Sequence, residues 1–108
     1  MARALMGRPE LLLLDEPAAG LDLGARERLL GRLGSLTADA EVPPLVLVTH
    51  HLEEIPSGIT HGALVARGRL LASGPVDEVL TAPGVSACFG VGVDVGRDRD
   101  RWWSRPAG

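Results

Sequence analysis

Leu11-Leu12-Leu13-Leu14-Asp15-Glu16-Pro17 decides the fold of this chain. Four branched apolar residues in a row suit a strand buried on both faces, as in a parallel sheet covered by helices. Pro17 and Ala18-Ala19-Gly20 stop the run where a strand would end, which argues against a buried helix. Two adjacent carboxylates then stand at the strand's carboxyl end, the side on which open α/β sheets bind ligands. Successive strand side chains point in opposite directions, so Asp15 and Glu16 are expected to do different jobs. One can hold a hydrated cation while the other faces a water, the division of labour that hydrolysis of a phosphate ester needs.

Downstream, Asp22 stands where a helix begins, and Ala25, Leu29, Leu33 and Leu36 recur at helical spacing, with Glu27, Arg28 and Arg32 on the other side. Gly31 and Gly34 each weaken that helix by about 1 kcal/mol relative to Ala, so packing against a sheet must hold it. After Pro43-Pro44, Leu45-Val46-Leu47-Val48 is a second β-favouring apolar run, and it ends in Thr49-His50-His51. Strand, helix and strand make a βαβ unit with parallel strands. Asp15-Glu16 and Thr49-His50 are thereby expected at the same edge of one sheet, with Thr49 as a cap.

The flanks are read with the same rules. Met1-Ala2-Arg3-Ala4-Leu5-Met6 is made of helix formers, stopped by Gly7 and Pro9, and reads as the end of a helix. A short helix is expected from Leu52 to Ile55, ending at Pro56. Ala63–Ala66 and Leu70–Ser73 flank Arg67-Gly68-Arg69 as an antiparallel hairpin. Gly74-Pro75 is expected to start a helix through Leu80, with the proline at its first position. Val91, Val93 and Val95 alternate, Arg97 to Asp100 read as a solvated turn, and Trp102-Trp103 close a final hairpin.

Composition bounds the function. The 108 residues make at most one small domain, and a formal charge of −3 gives no sign of a nucleic-acid partner. Apolar runs of four residues are far too short to span a membrane, and no charged-then-apolar leader opens the chain, which reads as cytoplasmic. Cys88 is alone and reads as a small buried hydrophobe. There is no lysine: all eleven basic residues are arginine. A glycine-rich phosphate loop ending in Lys-Ser/Thr is therefore absent from these residues.

The pieces Ala2-Arg3-Ala4-Leu5, Pro9-Glu10, Leu11 to Pro17, Gly20-Leu21-Asp22 and Val48-Thr49-His50 resemble, in order and spacing, the ATP-binding subunits of ABC transporters. The resemblance covers roughly Met1 to Leu80. It implies an α/β chain that is part of a P-loop NTPase (RecA-like) fold, a parallel β core followed by an antiparallel hairpin and short helices. It implies residues 1–82 as the carboxyl-terminal part of the ATPase domain and 83–108 as a variable tail with a small hairpin. Around Leu80-Thr81 and Phe89-Gly90 that tail resembles metal-chelate importers.

The same resemblance implies ATP and Mg²⁺ as cofactors and assigns roles. Asp15 would be the Walker B aspartate that holds magnesium through water. Glu16 would be the general base acting on the attacking water, and His50 the switch histidine at the γ-phosphate. Asp22, which reads equally as a helix N-cap, would be the D-loop aspartate that meets the opposing subunit. The implied partners are a transmembrane permease subunit and a second ATP-binding subunit, the assembly lying on the inner face of the cell membrane. Two departures stand out: Ala18 replaces a small hydroxyl residue, and His51 replaces the acidic residue common after the switch histidine. The family's Walker A loop, glutamine loop and signature would all precede Ala2, so the chain reads as the carboxyl-terminal half of such a subunit, inactive alone. The alternative is a non-catalytic interaction module. A DNA-repair ATPase half shares the Asp-Glu logic, but no coiled coil accompanies it here.

Overall fold

A computed structural model describes the backbone of Ala2–Ala4 and residues 11–108. It divides into two compact units, Met1–Gly58 and Ile59–Gly108. The first holds β1 (Ala2–Ala4), β2 (Leu12–Asp15), α1 (Leu23–Thr37), β3 (Leu45–Val48) and a 3₁₀ turn (Leu52–Glu54). Its sheet has the order β1-β2-β3, with β1 antiparallel to β2 and β2 parallel to β3. The βαβ unit expected from the two apolar runs is therefore present, in a register that puts Asp15 beside Val48.

Three expectations need correction here. Ala2–Ala4 is a strand, not the end of a helix, with Ala2 opposite Leu14 and Ala4 opposite Leu12. Helix propensity is a weak preference, and a short segment does not nucleate a helix by itself. Pairing with β2 satisfies the backbone groups along the side of β1 that faces it. The parts of that reading that fall on Met1, Leu5, Met6, Gly7 and Pro9 lie outside the described residues.

The helix face is also shifted from the stripe expected. Leu30 and Leu33 are buried against Leu14, with Leu29, Leu45 and Leu47 packed around them, while Leu36 is exposed. Length explains the overhang: fifteen helical residues span about 22 Å, whereas four strand residues span about 13 Å. Leu23 and Leu36, near the two ends of α1, are both exposed.

Finally, the strands are not buried on both faces. Leu14 is buried and Leu12, Leu45 and Leu47 are partly so, but Leu11, Leu13, Val46 and Val48 are exposed. One helix covers one face, and the alternation along each strand follows from that. At the far end of α1, the Thr37 hydroxyl lies within hydrogen-bond reach of the carbonyls of Gly34 (2.7 Å) and Ser57 (3.1 Å), with one proton to give between them, and this ties the helix to the end of the unit. A Cβ on Gly58 would lie 2.2 Å from the Thr37 hydroxyl oxygen, and its φ of +91° is left-handed, so glycine is required there twice over.

The second unit holds β4 (His61–Ala66), β5 (Arg69–Pro75), α2 (Val76–Val79), α3 (Ala82–Phe89), β6 (Val93–Asp98) and β7 (Arg101–Pro106). The hairpin β4–β5 turns on Arg67 and Gly68, both at positive φ, as a two-residue hairpin loop needs. β5 runs through Pro75, which pairs with His61, so α2 starts at Val76 and Pro75 precedes the helix instead of opening it. Helix α3 was not expected, although its signals were on the chain. Thr81 caps it by accepting from the Gly84 amide (3.1 Å), Pro83 sits in its first turn, and Gly90 ends it in the left-handed conformation.

The final hairpin, β6–β7, is present, turning on Arg99 and Asp100 at positive φ. Arg97 lies over the Trp102 ring at 4.9 Å and Arg105 over Trp103 at 4.2 Å. Arg97 also donates to Asp77 of α2 (2.5 Å) and to Asp100. Cys88 is only partly buried, its thiol directed at the Val65 carbonyl (3.3 Å). Among the described residues no helix is long and apolar enough to cross a membrane.

Candidate functional site at the carboxyl edge of the parallel strands

β2 ends at Asp15, but its ladder continues one step further: the Glu16 amide donates to the Val48 carbonyl at 2.8 Å. Glu16 itself adopts φ +51°, a left-handed conformation that residues with a Cβ rarely take. That turns the chain out of the strand at once. Two overlapping turns follow, with Ala19 N bonded to Glu16 O and Leu21 N to Ala18 O, both at 3.1 Å. Ala18 is buried at their centre, where its small side chain fits, and Gly20 takes positive φ.

The second turn delivers Asp22 to the start of α1. Its Oδ1 accepts from the Ala25 amide at 2.8 Å, and its carbonyl accepts from Arg26 N at 2.9 Å. Asp22 is thus an N-cap, contributing about 1 kcal/mol to the helix and fixing where the Gly20–Asp22 loop leaves the sheet.

On the neighbouring strand, β3 ends at Val48 and the chain turns through Thr49, His50 and His51 into the 3₁₀ turn. His50 Nδ1 meets Glu16 Oε1 in a short contact. The parallel register places the two residues for this, since Val48 holds Glu16 and His50 stands two residues beyond Val48. The His50 side chain is 78% exposed and that of Glu16 30%, so the pair faces outward and a ligand can reach it. Facing a carboxylate, Nδ1 carries the proton, and Nε2 remains for another partner. The His51 side chain is exposed, and its backbone amide and carbonyl are bonded to Thr49 Oγ1 and Glu54 N.

Of the four residues singled out from the sequence, the structure joins Glu16 to His50. It puts Asp15 one residue before Glu16 on the same edge and uses the Asp22 side chain at the helix start. Thr49 was expected to cap, but the residue at the cap position of the 3₁₀ turn is His51, with no side-chain cap bond; Thr49 instead closes a local turn before it, accepting from the His51 amide at 3.1 Å. Its hydroxyl also reaches Glu54 Oε1 at 3.2 Å. Glu54 was not singled out; the available signal was an acidic pair, Glu53-Glu54, opening a short helix right after the histidines.

Comparison with known proteins shows what the chain is similar to. The chain is 42% identical over 101 residues to the ABC transporter ATP-binding protein YlmA of Bacillus subtilis, covering 94% of this chain and 38% of that protein. It is 35% identical over 107 residues to the ABC transporter ATP-binding protein YmeB of Lactococcus lactis, covering 99% of this chain and 41% of the relative. The chain belongs to the ABC transporter ATP-binding family. The molybdenum import ATP-binding protein ModC of Aromatoleum aromaticum is 44% identical over 80 residues, 74% of this chain and 21% of its own.

The chain therefore spans less than half the length of the ABC relatives it matches. A solved ABC transporter of metal-chelate type, in an inward-facing conformation, shares the fold with a TM-score of 0.68 at 21% identity, over 89% of this chain and 38% of that one. No protein-family model matches the chain.

Proposed function

We propose that these residues form the hydrolytic edge of an ABC transporter's ATP-binding subunit, and that residues outside them hold most of the nucleotide's phosphate chain. The unit Met1–Gly58 is read as part of a P-loop NTPase fold. The observation that carries the proposal is the Glu16–His50 pair, two chemically distinct groups from two parallel strands meeting at their common carboxyl edge.

Phosphoryl transfer depends on positioning and charge neutralisation more than on covalent chemistry, and an oriented water is its nucleophile. Glu16 takes the water's proton as general base. His50, its Nδ1–H held by Glu16, would donate Nε2–H to an oxygen of the γ-phosphate as the imidazolium, the form in which both ring nitrogens are donors. The pair then aligns water and phosphate from one edge.

Asp15 would hold Mg²⁺, through water. Magnesium keeps several waters and is bound by one or two carboxylates together with the substrate's phosphates, so a single carboxylate is enough for this role. Bound there, Mg²⁺ would neutralise charge on the phosphate oxygens. The Gly20–Asp22 loop, fixed by the Asp22 cap, would face a second ATP-binding subunit, and the dimer would work with a permease at the membrane's inner face. In this reading the 108 residues by themselves do not turn over.

The test is to join these residues to the part of YlmA that they do not match and to measure Mg-ATP hydrolysis. Glu16→Gln should lower turnover by about 10²–10⁴-fold, since the amide keeps the shape but is no base. Nucleotide affinity should stay within threefold, roughly 0.7 kcal/mol. Hydrolysis by Glu16→Gln at the unmutated rate would show that Glu16 is not the base.

A further inference from the structure

We infer that Glu54 is the positioning residue for His50, acting through Thr49; the inference rests on the functional reading of His50 given above. The imidazole is mostly exposed and meets Glu16 by one nitrogen, so little packing around the ring fixes its direction. What fixes it is the backbone on either side.

Behind His50, Val48 is locked in the ladder by Asp15 and by the Glu16 amide. Ahead of it, the hydrogen bonds close on themselves. The Thr49 hydroxyl accepts from His51 N (3.1 Å), and His51 O accepts from Glu54 N (3.0 Å). Glu54 Oε1 accepts from the Thr49 hydroxyl (3.2 Å), which completes the ring.

A hydroxyl has one proton to give. The alternative acceptor for Thr49, the His51 carbonyl, is farther away at 3.4 Å and uncharged. A bond to a carboxylate is roughly twice as strong as one between neutral groups, so the proton goes to Glu54. The Glu54 carboxylate thereby sets the hydroxyl's orientation. Its lone pairs are left for the His51 amide, and the peptide plane that follows His50 is held by that bond. Without that acceptor the hydroxyl rotates, the His51 amide loses its partner, and the ring of His50 is free to leave Glu16.

The state of the imidazole reports this directly and needs no nucleotide, so the result is independent of whether the pair hydrolyses ATP. In the ¹⁵N-histidine-labelled chain, the neutral ring of His50 should be mainly the Nδ1–H tautomer with a ring-to-Glu16 proton contact. Glu54→Ala should turn that tautomer from the major into the minor form and abolish the contact. Glu54→Gln should retain both, because its amide oxygen accepts the same proton. Thr49→Val should reproduce the loss and Thr49→Ser should not.

Slow exchange of the Glu16 amide in each variant shows that the β2–β3 ladder stands, which separates positioning from unfolding. Retention of the Nδ1–H tautomer in Glu54→Ala or in Thr49→Val, with that amide protected, would overturn the inference. So would a Glu54→Gln variant that behaves like Glu54→Ala.

Discussion

Replacing Glu16 by glycine asks whether this residue is present for chemistry or for the fold. Its φ of +51° costs a residue with a Cβ about 1–2 kcal/mol, which glycine would recover. Against that, glycine loses more backbone freedom on folding, by roughly 0.5–1 kcal/mol. The contact with His50 is also lost. Its imidazole is 78% exposed, and an exposed ion pair is worth about 0.2–1 kcal/mol. The amide bond to the Val48 carbonyl is a backbone interaction and survives. These effects oppose one another, and the net change in stability should lie within about 1 kcal/mol of zero. Amide exchange at Leu14 and Leu47, in the centre of the first sheet, reads the change. A loss of more than about 2 kcal/mol there would mean that Glu16 holds the turn together, and that its strained backbone is not a cost carried for the site.

Three further outcomes are expected. A Cβ on Gly96 would lie 2.0 Å from the Trp103 ring that pairs across the hairpin, so Gly96→Ala should cost about 1–3 kcal/mol by overpacking and shift the tryptophan emission. The cost should vanish in a Trp103→Val background, and an unchanged urea midpoint in the single variant would refute it. In the first unit, Val46→Thr should cost less than about 1 kcal/mol, because Val46 is exposed, whereas Leu14→Ala should cost about 2–5 kcal/mol, because Leu14 is buried against α1. Comparable losses in amide exchange would show that the two strand faces are not distinct. Lastly, a polypeptide of these 108 residues, which has no lysine, should bind Mg-ATP more weakly than about 1 mM; micromolar binding by calorimetry would contradict this.

The functional edge was legible because it depends on two local patterns. Each is an apolar run closed by polar residues, and a helix between such runs makes the strands parallel, which forces Asp15-Glu16 and His50 to one edge. His50 was singled out through the family resemblance; that it meets Glu16 comes from the structure, where it stands two residues past Val48. What was not legible depends on neighbours distant in sequence. Ala2–Ala4 has the composition of a helix and becomes a strand because β2 offers it an edge. Leu30 is the most buried residue of α1, yet it lies off the 29-33-36 stripe, because the short strands beneath leave the ends of the helix overhanging. The Glu54–Thr49 bond spans a turn whose closure no periodicity announces.

The exposed face of β2 and β3 bears on what these residues are built for. A strand with one face in water usually alternates apolar and polar residues. Here Leu11, Leu13, Val46 and Val48 are on the exposed side, and all four are branched and apolar. Burying such a side chain completely is worth about 1.5–3 kcal/mol. With exposures between 36% and 46%, the four leave roughly 3 kcal/mol unrealised. That is a sizeable fraction of the 5–15 kcal/mol by which a typical domain is stable. The composition of these strands therefore suits a sheet covered on both sides, whereas α1 covers one. The polar edge has no such mismatch: Glu16, His50, Thr49 and Glu54 are already joined by contacts within the unit. The geometry of the site is thus local to Met1–Gly58, while the full stability of the sheet calls for apolar surface beyond α1.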